Sequence, residues 1–202
     1  MNIRAEQYSA GIMSESSWFL EFKKLVQLKK NGATDDEIKK ACLEENLFVM
    51  TTENRVKRTY GYLINRLETM DDQMIDLFCS SDLATQKIIN FITVLRGDRL
   101  FFEFVNEVYR EKCILGFDLV EISDVNTFFR NKAVESDAFS KWKETTYEKV
   151  RRCYLNFMTD ANLLRKEKNK YHITPPILDI ALERYLQFNG EDHILKAITG
   201  VR

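Results

Sequence analysis

Residues that break helices are scarce in this sequence. It contains only two prolines in 202 residues, and they are adjacent, at Pro175 and Pro176. Seven glycines are spread thinly along the chain. Proline removes a backbone donor and clashes with the preceding helical turn, and glycine loses the most backbone entropy in a helix. Long stretches free of both therefore predict a mainly α protein built from many helices.

Side chains that cap helices indicate where some of these helices begin. Thr34 followed by Glu37 has the spacing of a capping box. Ser14 is expected to cap the first helix. The short helix after Thr34, a turn and a further helix from about Thr52 predict a helix-turn-helix-like pair over residues 34–68.

The last third of the chain differs in character. A long helix is predicted from about residue 145 to residue 162. Residues 163–173 then have apolar ends around a charged tip with a Lys168-Asn169 turn, which is typical of a β-hairpin. A helix, a turn, a long helix and a hairpin in this order resemble a winged helix, with the hairpin as the wing.

The break in the helical pattern at Gly116 suggests a division of the chain. We expect an N-terminal helical lobe over residues 1–116 and a C-terminal winged-helix-like lobe over residues 117–202. A helix after the two prolines is expected to bury Ile177 and Ile180 in the second lobe.

Charge is segregated along the chain. The formal net charge is −1, which argues against a simple polycation that coats nucleic acid. Residues 141–172, however, hold nine basic and four acidic side chains, and residues 51–68 hold four and two. Residues 69–140 hold thirteen acidic and seven basic side chains. Two basic segments therefore flank an acidic middle.

The long helix has two different faces at 100° per residue. One face is apolar and is expected to pack on the core. The residues within about 60° of each other on the opposite side are Thr145, Lys149, Arg152 and Asn156. Arginine and lysine can donate to guanine, asparagine can pair with adenine, and threonine can reach a phosphate or a thymine methyl group. This face predicts contact with duplex DNA.

Cations around the long helix predict contacts with phosphates. Lys141 and Lys143 precede the helix, and the hairpin adds four more basic side chains. These four are Arg165, Lys166, Lys168 and Lys170. A solvated surface helix followed by a charged hairpin tip remains the alternative interpretation.

A second basic stripe is predicted on the helix that begins near Thr52. Its members are Arg55, Arg58, Tyr62 and Arg66. Such a stripe suits phosphate contacts, and it equally suits salt bridges to the acidic middle segment.

No motif for catalysis, metal or cofactor binding is present. The sequence lacks the phosphate-binding, dinucleotide-binding and nucleophile-elbow patterns, and its four cysteines lie more than thirty residues apart. We therefore expect no enzyme, no metal, no cofactor and no small-molecule substrate. No apolar run approaches the roughly 20 residues of a membrane helix, so we expect a cytoplasmic protein without membrane contact.

Short motifs in order along nearly the whole chain resemble those of the BrxA family of bacterial BREX phage-defence systems. They are Tyr8-Ser9 with Gly11, residues 44–48, Arg66-Leu67, residues 102–104 with Glu111-Lys112, Phe128-Phe129 with Lys132, Trp142 with Thr145, Leu163-Leu164, and residues 173–175. The resemblance implies a compact helical protein with helix-turn-helix-like parts and no known catalytic motif. It also implies DNA binding beside other BREX proteins that methylate host DNA and block phage replication.

Residues and resemblance together predict a non-catalytic protein that binds double-stranded DNA in phage defence. The expected partners are duplex DNA and other BREX proteins. A protein-interaction adaptor within the BREX assembly and an RNA-binding protein remain alternatives.

Overall fold

A computed structural model describes residues 8–201, except for the side chains of residues 137 and 138. The chain divides into two compact units. Residues 17–94 form one unit, and, among the described residues, 8–16 join 95–201 in the other. The lobes expected on either side of Gly116 do not coincide with these units, because the helical segment before Gly116 packs against helices that follow it.

The unit of residues 17–94 is helical. Its elements are α1 (Phe19–Lys30), α2 (Asp35–Leu43), α3 (Glu53–Leu67), α4 (Asp72–Ser80) and the greater part of α5 (Leu83–Gly97). The core forms where apolar faces of these helices meet, and the ring of Phe22 lies edge-on to that of Phe78 at 5.8 Å. The unit boundary falls inside α5.

Two of the helix starts can be compared with expectation. The capping box of α2 is confirmed, because Glu37 N–H donates to Thr34 Oγ1 at 3.3 Å and Thr34 N–H donates to Glu37 Oε2 at 2.7 Å. The expected cap at Ser14 is wrong. Ser14 ends a short 3₁₀ helix, and α1 begins at Phe19 after Trp18.

The second unit is also mainly helical. Its helices are α6 (Arg99–Phe104), a π-helical segment (Val105–Tyr109), α7 (Arg110–Leu115), α8 (Ile122–Glu135), α9 (Asp137–Ser140), α10 (Glu144–Asp160), α11 (Ile180–Phe188) and α12 (Asp192–Thr199). Its strands are β1 (Leu119–Val120), β2 (Leu164–Glu167) and β3 (Lys170–Ile173). The expected mainly α fold with a small C-terminal hairpin is confirmed.

The three strands form one antiparallel sheet in the order β1-β3-β2. The hairpin turns at Lys168-Asn169 as expected, with Lys168 at a positive φ of 54°. Val120 lies opposite Tyr171, so the strand before α8 pairs with the last strand. The sheet thereby joins both ends of the segment that contains α8, α9 and α10, as in a winged-helix-like arrangement.

Aromatic packing attaches α10 to its unit. The ring of Tyr154 stacks on Phe101 of α6 with centroids 4.3 Å apart. It also lies 5.4 Å from the ring of Phe104 and 6.0 Å from that of Phe129 on α8. Tyr154 is fully buried, so this contact determines which face of α10 points inward.

The expectation for Ile177 and Ile180 is wrong. The helix α11 begins only at Ile180, where the side chain of Asp179 accepts the N–H groups of Ala181 and Leu182. Leu182, Tyr185 and Leu186 form its buried face, and Ile177 and Ile180 are exposed.

Two substitutions distinguish the contribution of the Tyr154 ring to stability from that of its hydroxyl. That hydroxyl is buried and makes no hydrogen bond within the described part of the chain. We therefore expect Tyr154→Phe to leave the free energy of unfolding unchanged or to raise it, because an unsatisfied buried hydroxyl is removed. Tyr154→Ala should lower it by about 3–5 kcal/mol, because a large cavity remains. Urea unfolding measures both, and a marked loss of stability in Tyr154→Phe would show that the hydroxyl is satisfied.

The carboxylate of Asp98 caps α6 in a buried position that disfavours its charged form. Its Oδ1 accepts the N–H of Phe101 at 2.8 Å. Burial raises the pKa of Asp98 to about 7, and the Glu15 carboxylate adds to the rise. The folded protein thus holds a proton on Asp98 more tightly than the unfolded chain does.

This raised pKa predicts a pH-dependent stability. The contribution of protonated Asp98 is complete below its unfolded pKa of 3.8 and is lost as the pH rises through about 7. The asparagine introduced by Asp98→Asn is also a good cap but does not ionise. We expect the wild type to lose stability between pH 4 and pH 8, and the variant to lose less over the same range. Urea unfolding at several pH values tests this, and equal slopes for both proteins would contradict it.

Candidate nucleic-acid interface

The outward face of α10 carries the side chains that the sequence singled out. Val150, Tyr154 and Met158 are buried on the inner face. The side chains exposed on the opposite face are Thr145, Lys149, Arg152 and Asn156. The predicted division of this helix into two faces is therefore present in the structure.

These four side chains are available for an external partner. Within the described residues, none of the four makes a hydrogen bond or an ion pair through its side chain. The last of the four is eleven positions after the first, so the row extends about 16 Å along the helix at 1.5 Å per residue. This is a continuous polar and cationic strip on a helix whose other face is fixed in the core.

The N-terminal end of α10 adds two cations to this strip. Lys141 and Lys143 are exposed just before the helix, and Lys143 occupies the N-cap position. The first backbone N–H groups of a helix and its dipole favour an anion at this end. The two lysines therefore lie at the end of the helix that favours a phosphate.

The hairpin distributes its cations over two faces and the tip. Arg165 pairs with His172 and Glu167 with Lys170 across the strands, so these four side chains share one face. Lys166 lies on the other face, with its Nζ 5.5 Å from the centre of the Tyr171 ring.

The hairpin cations also differ in how free they are. Arg165 is held by Glu167, with 3.1 Å between Nη2 and Oε1. Lys168 and Lys170 form no ion pair in the part of the chain that the structure describes. The cations at the tip are thus the freest of the wing.

The predicted stripe on α3 is only partly exposed. Arg55 and Arg58 are exposed, and Tyr62 is half-buried beside the indole of Trp18. Arg66 is buried, and its Nη1 donates to the backbone oxygen of Ser17 at 2.9 Å. The assignment of Arg66 to a DNA-contacting stripe is therefore corrected, because its guanidinium faces the interior of its own unit.

The predicted residues fall into two groups that belong to different compact units. The α3 stripe lies in the unit of residues 17–94, and α10 and the hairpin lie in the other. Within the second unit, α10 leads into β2, and the N–H of Leu163 donates to the oxygen of Met158 at 2.9 Å. The helix strip and the wing are therefore parts of one unit.

Two features were missed by sequence reasoning. Trp18 fits the apolar helical spacing of Phe22, Leu25 and Val26 and would be expected in a buried stripe, but the structure leaves it half-buried in a left-handed conformation. A cleft of about 330 Å³ also lies between α8 and α10, lined by Asn126, Arg130, Glu144 and Tyr147 among others. Neither feature has a sequence signal, because both depend on residues brought together by the fold.

Features of metal, disulfide or membrane-spanning sites are absent from the described residues. That part of the chain contains no group of three or more His, Cys, Asp or Glu side chains that could hold a metal ion. The four cysteines are free thiols there. In the same residues, no helix has the length and apolar character needed to cross a membrane.

Fold and surface together define a class of protein: a mainly helical chain with a winged-helix-like unit that exposes a polar and cationic helix face. The BrxA family model matches residues 6–190. The chain therefore belongs to the BrxA family.

Two relatives carry the name of this family, and a solved structure shares the fold. The chain is 30% identical over 198 residues to a BREX protein BrxA of Bacillus cereus strain H3081.97, covering 98% of this chain and 99% of the relative. A BREX protein BrxA of Paramagnetospirillum magneticum is 20% identical over 95% of this chain and 96% of its own length. The crystal structure of an uncharacterized protein from Magnetospirillum magneticum shares the fold, with a TM-score of 0.81 at 20% identity over 96% and 98% of the two chains.

The different burial of Arg58 and Arg66 predicts different effects of removing them. Arg66→Met removes a buried donor from the Ser17 carbonyl, and we expect it to lower the free energy of unfolding by about 2 kcal/mol. Arg58→Ala changes an exposed side chain and should stay within about 0.5 kcal/mol of the wild type. Urea unfolding compares the two variants. If Arg66→Met is as stable as the wild type, Arg66 is not a buried donor and belongs to the exposed stripe on α3.

Proposed function

We propose that this protein is a non-catalytic double-stranded DNA-binding protein of a bacterial BREX anti-phage defence system. Membership of the BrxA family and the relatives named BREX protein BrxA support the place in phage defence. The observation that supports DNA binding is the row of four exposed side chains on α10. They are presented by a helix whose opposite face is buried.

The chemistry of this row suits the major groove of B-DNA. The groove admits an α-helix, and its base edges offer the acceptors of guanine and the donor–acceptor pair of adenine. Lys149 and Arg152 supply donors for guanine, and Asn156 supplies the amide that adenine pairs with. Thr145 lies nearest the helix start, where a hydroxyl reaches the phosphate backbone.

The surroundings of α10 supply the phosphate contacts in this proposal. Lys141 and Lys143 contact the backbone at the helix N-terminus, where the dipole adds to their charge. The wing contributes Lys168 and Lys170 at its tip, with Arg165 and Lys166 behind them. On the other unit, Arg55 and Arg58 of α3 form a secondary phosphate contact.

The charge distribution is compatible with DNA binding despite the net charge of −1. Some carboxylates of the acidic middle are held in ion pairs within the fold, since Lys132 Nζ lies 2.8 Å from Glu103 Oε2 and 2.7 Å from Glu107 Oε1. The cations on α10 and at the wing tip lack such partners among the described residues. Attraction for phosphate is thereby confined to defined faces.

An adaptor within the BREX assembly is the second candidate function. Three large apolar side chains at and before α11 favour it, because Ile177, Ile180 and Phe188 are exposed. Exposed apolar groups on a folded protein are common at sites of protein contact. An adaptor of this kind would bind other BREX proteins without binding DNA. Binding of RNA by the same basic faces is a third possibility, which a comparison of duplex DNA with duplex RNA separates.

A double substitution on α10 tests the proposed duplex contact. We expect Lys149→Ala with Arg152→Ala to weaken duplex binding by about tenfold or more, since each good contact to a base is worth about 1–3 kcal/mol. The salt dependence should change little, because the proposed phosphate contacts are made by other side chains, each worth about 0.9 log units per log salt. Fluorescence anisotropy with labelled duplex DNA and duplex RNA over a range of salt measures both effects.

A matched control accompanies this test. Lys39 and Lys40 are exposed on α2, and their double alanine variant removes the same charge elsewhere. The control should bind duplex DNA as the wild type does. If both variants weaken binding equally, the effect comes from the loss of overall charge and not from a contact on α10. If the protein binds duplex RNA more tightly than duplex DNA, the RNA alternative is favoured. Cleavage of labelled duplex in Mg²⁺ would contradict the non-catalytic assignment.

A further inference from the structure

Trp18 has a backbone conformation that tryptophan rarely adopts. It precedes α1 with φ 41° and ψ 42°, in the left-handed region. For a bulky side chain this region is sterically unfavourable, and such residues persist only where the surroundings fix them. Strained residues of this kind are concentrated at functional sites.

Two buried polar side chains fix this conformation. The carbonyl oxygen of Ser17 accepts from Arg66 Nη1 at 2.9 Å and from Asn90 Nδ2 at 3.1 Å. Asn90 Nδ2 also lies 3.3 Å from Ser17 Oγ. The oxygen of Trp18 accepts the N–H of Phe22 at 2.8 Å. The peptide before Trp18 and the turn after it are therefore both held in place.

The result is an aromatic pair at the surface of this unit. The rings of Trp18 and Tyr62 are 6.0 Å apart at an interplanar angle of 29°, and both side chains are half-buried. The guanidinium of Arg66 lies 5.9 Å from the centre of the indole ring. The strained backbone thus places an indole against a tyrosine instead of burying it completely.

Two free cations continue this surface along α3. Arg58 lies one helical turn before Tyr62, and Arg55 lies two turns before it. At 1.5 Å per residue they are displaced by about 6 Å and about 10 Å along the helix. Both are exposed, and neither side chain forms an ion pair within the described residues.

We propose that Trp18 and Tyr62, together with Arg58 and Arg55, form a binding site for single-stranded nucleic acid. An unpaired base extends the stack on the aromatic pair, and the two arginines follow the phosphates of the strand. Stacking on aromatic side chains beside a row of cations is the general chemistry of single-strand recognition. A paired base within a duplex has its faces covered by its neighbours and cannot stack in this way. The site uses none of the α10 residues proposed for the main duplex contact, although its two arginines are those of the proposed secondary phosphate contact on α3.

In this arrangement Arg66 and Asn90 are positioning residues. They are buried and act through the Ser17 carbonyl, which orients the indole. This role explains why an arginine in the sequence-predicted stripe faces inward.

Fluorescence of Trp18 reports directly on the proposed site. The chain has two tryptophans, so full-length protein with Trp142→Phe leaves Trp18 as the only indole. Titration with a twelve-residue thymidine oligonucleotide at low salt should quench this fluorescence, because a base stacks on the ring. No quenching, with no oligonucleotide binding by anisotropy, would overturn the inference.

Substitutions separate stacking from folding. Trp18→Asn removes the ring, and asparagine tolerates the left-handed conformation. Tyr62→Leu removes the second ring, and Tyr62→Phe retains it as a matched control. We expect Trp18→Asn and Tyr62→Leu each to weaken oligonucleotide binding by about five- to 150-fold, the range for loss of one stacked base. Tyr62→Phe should bind as the wild type does, and thermal unfolding verifies that each variant is folded.

The proposed duplex contact is tested in the same experiment with the Lys149→Ala, Arg152→Ala protein. It should retain single-strand binding, and Trp18→Asn should retain duplex binding. If folded Trp18→Asn and Tyr62→Leu bind the oligonucleotide as tightly as the wild type, the inference is wrong and the duplex proposal is unaffected. Equal loss of duplex and single-strand binding in Trp18→Asn would also overturn a site for unpaired bases.

Discussion

The arrangement of the second unit, which contains α6 to α12, depends on the burial of Tyr154 among Phe101, Phe104 and Phe129. An α-helix presents its residues at fixed angles, so anchoring one side of α10 determines what the other side offers to solvent. The hairpin follows directly from the end of α10, and β3 pairs with β1 before α8. The core contact and the polar strip are therefore opposite sides of one helix, and the wing is connected to that helix by the chain and to the segment before α8 by the sheet.

A buried ammonium group complements this aromatic contact. Lys132 on α8 lies among carboxylates of Glu103 and Glu107, and its Nζ is 5.4 Å from the Phe128 ring. Its burial lowers its pKa, but the hydrogen bonds to these carboxylates outweigh that effect and raise the pKa overall. A charge held in this way attaches α8 to α6 and to the π-helical segment, and α8 in turn supplies Phe129 to the packing around Tyr154.

Much of the fold and part of the candidate site could be predicted from local sequence. The capping box at Thr34, the turn at Lys168 and the two faces of α10 depend on residues within a few positions of each other. The start of α1 and the exposure of Ile177 were not predicted. The start of α1 depends on distant contacts, because Arg66 and Asn90 hold the Ser17 carbonyl. The start of α11 is set locally by the cap at Asp179, which the apolar spacing alone did not indicate.

The sequence by itself determined the helical character, the hairpin and the exposed row on α10, because scarce helix breakers and regular spacing act over short distances. Only the tertiary structure decided the role of Arg66, whose partner is the carbonyl of a residue 49 positions away. It also decided the position of Trp18, which periodicity assigns to the core. Helical periodicity gives the direction in which a side chain leaves the helix axis. The partner that the side chain meets in that direction is supplied by another segment of the folded chain.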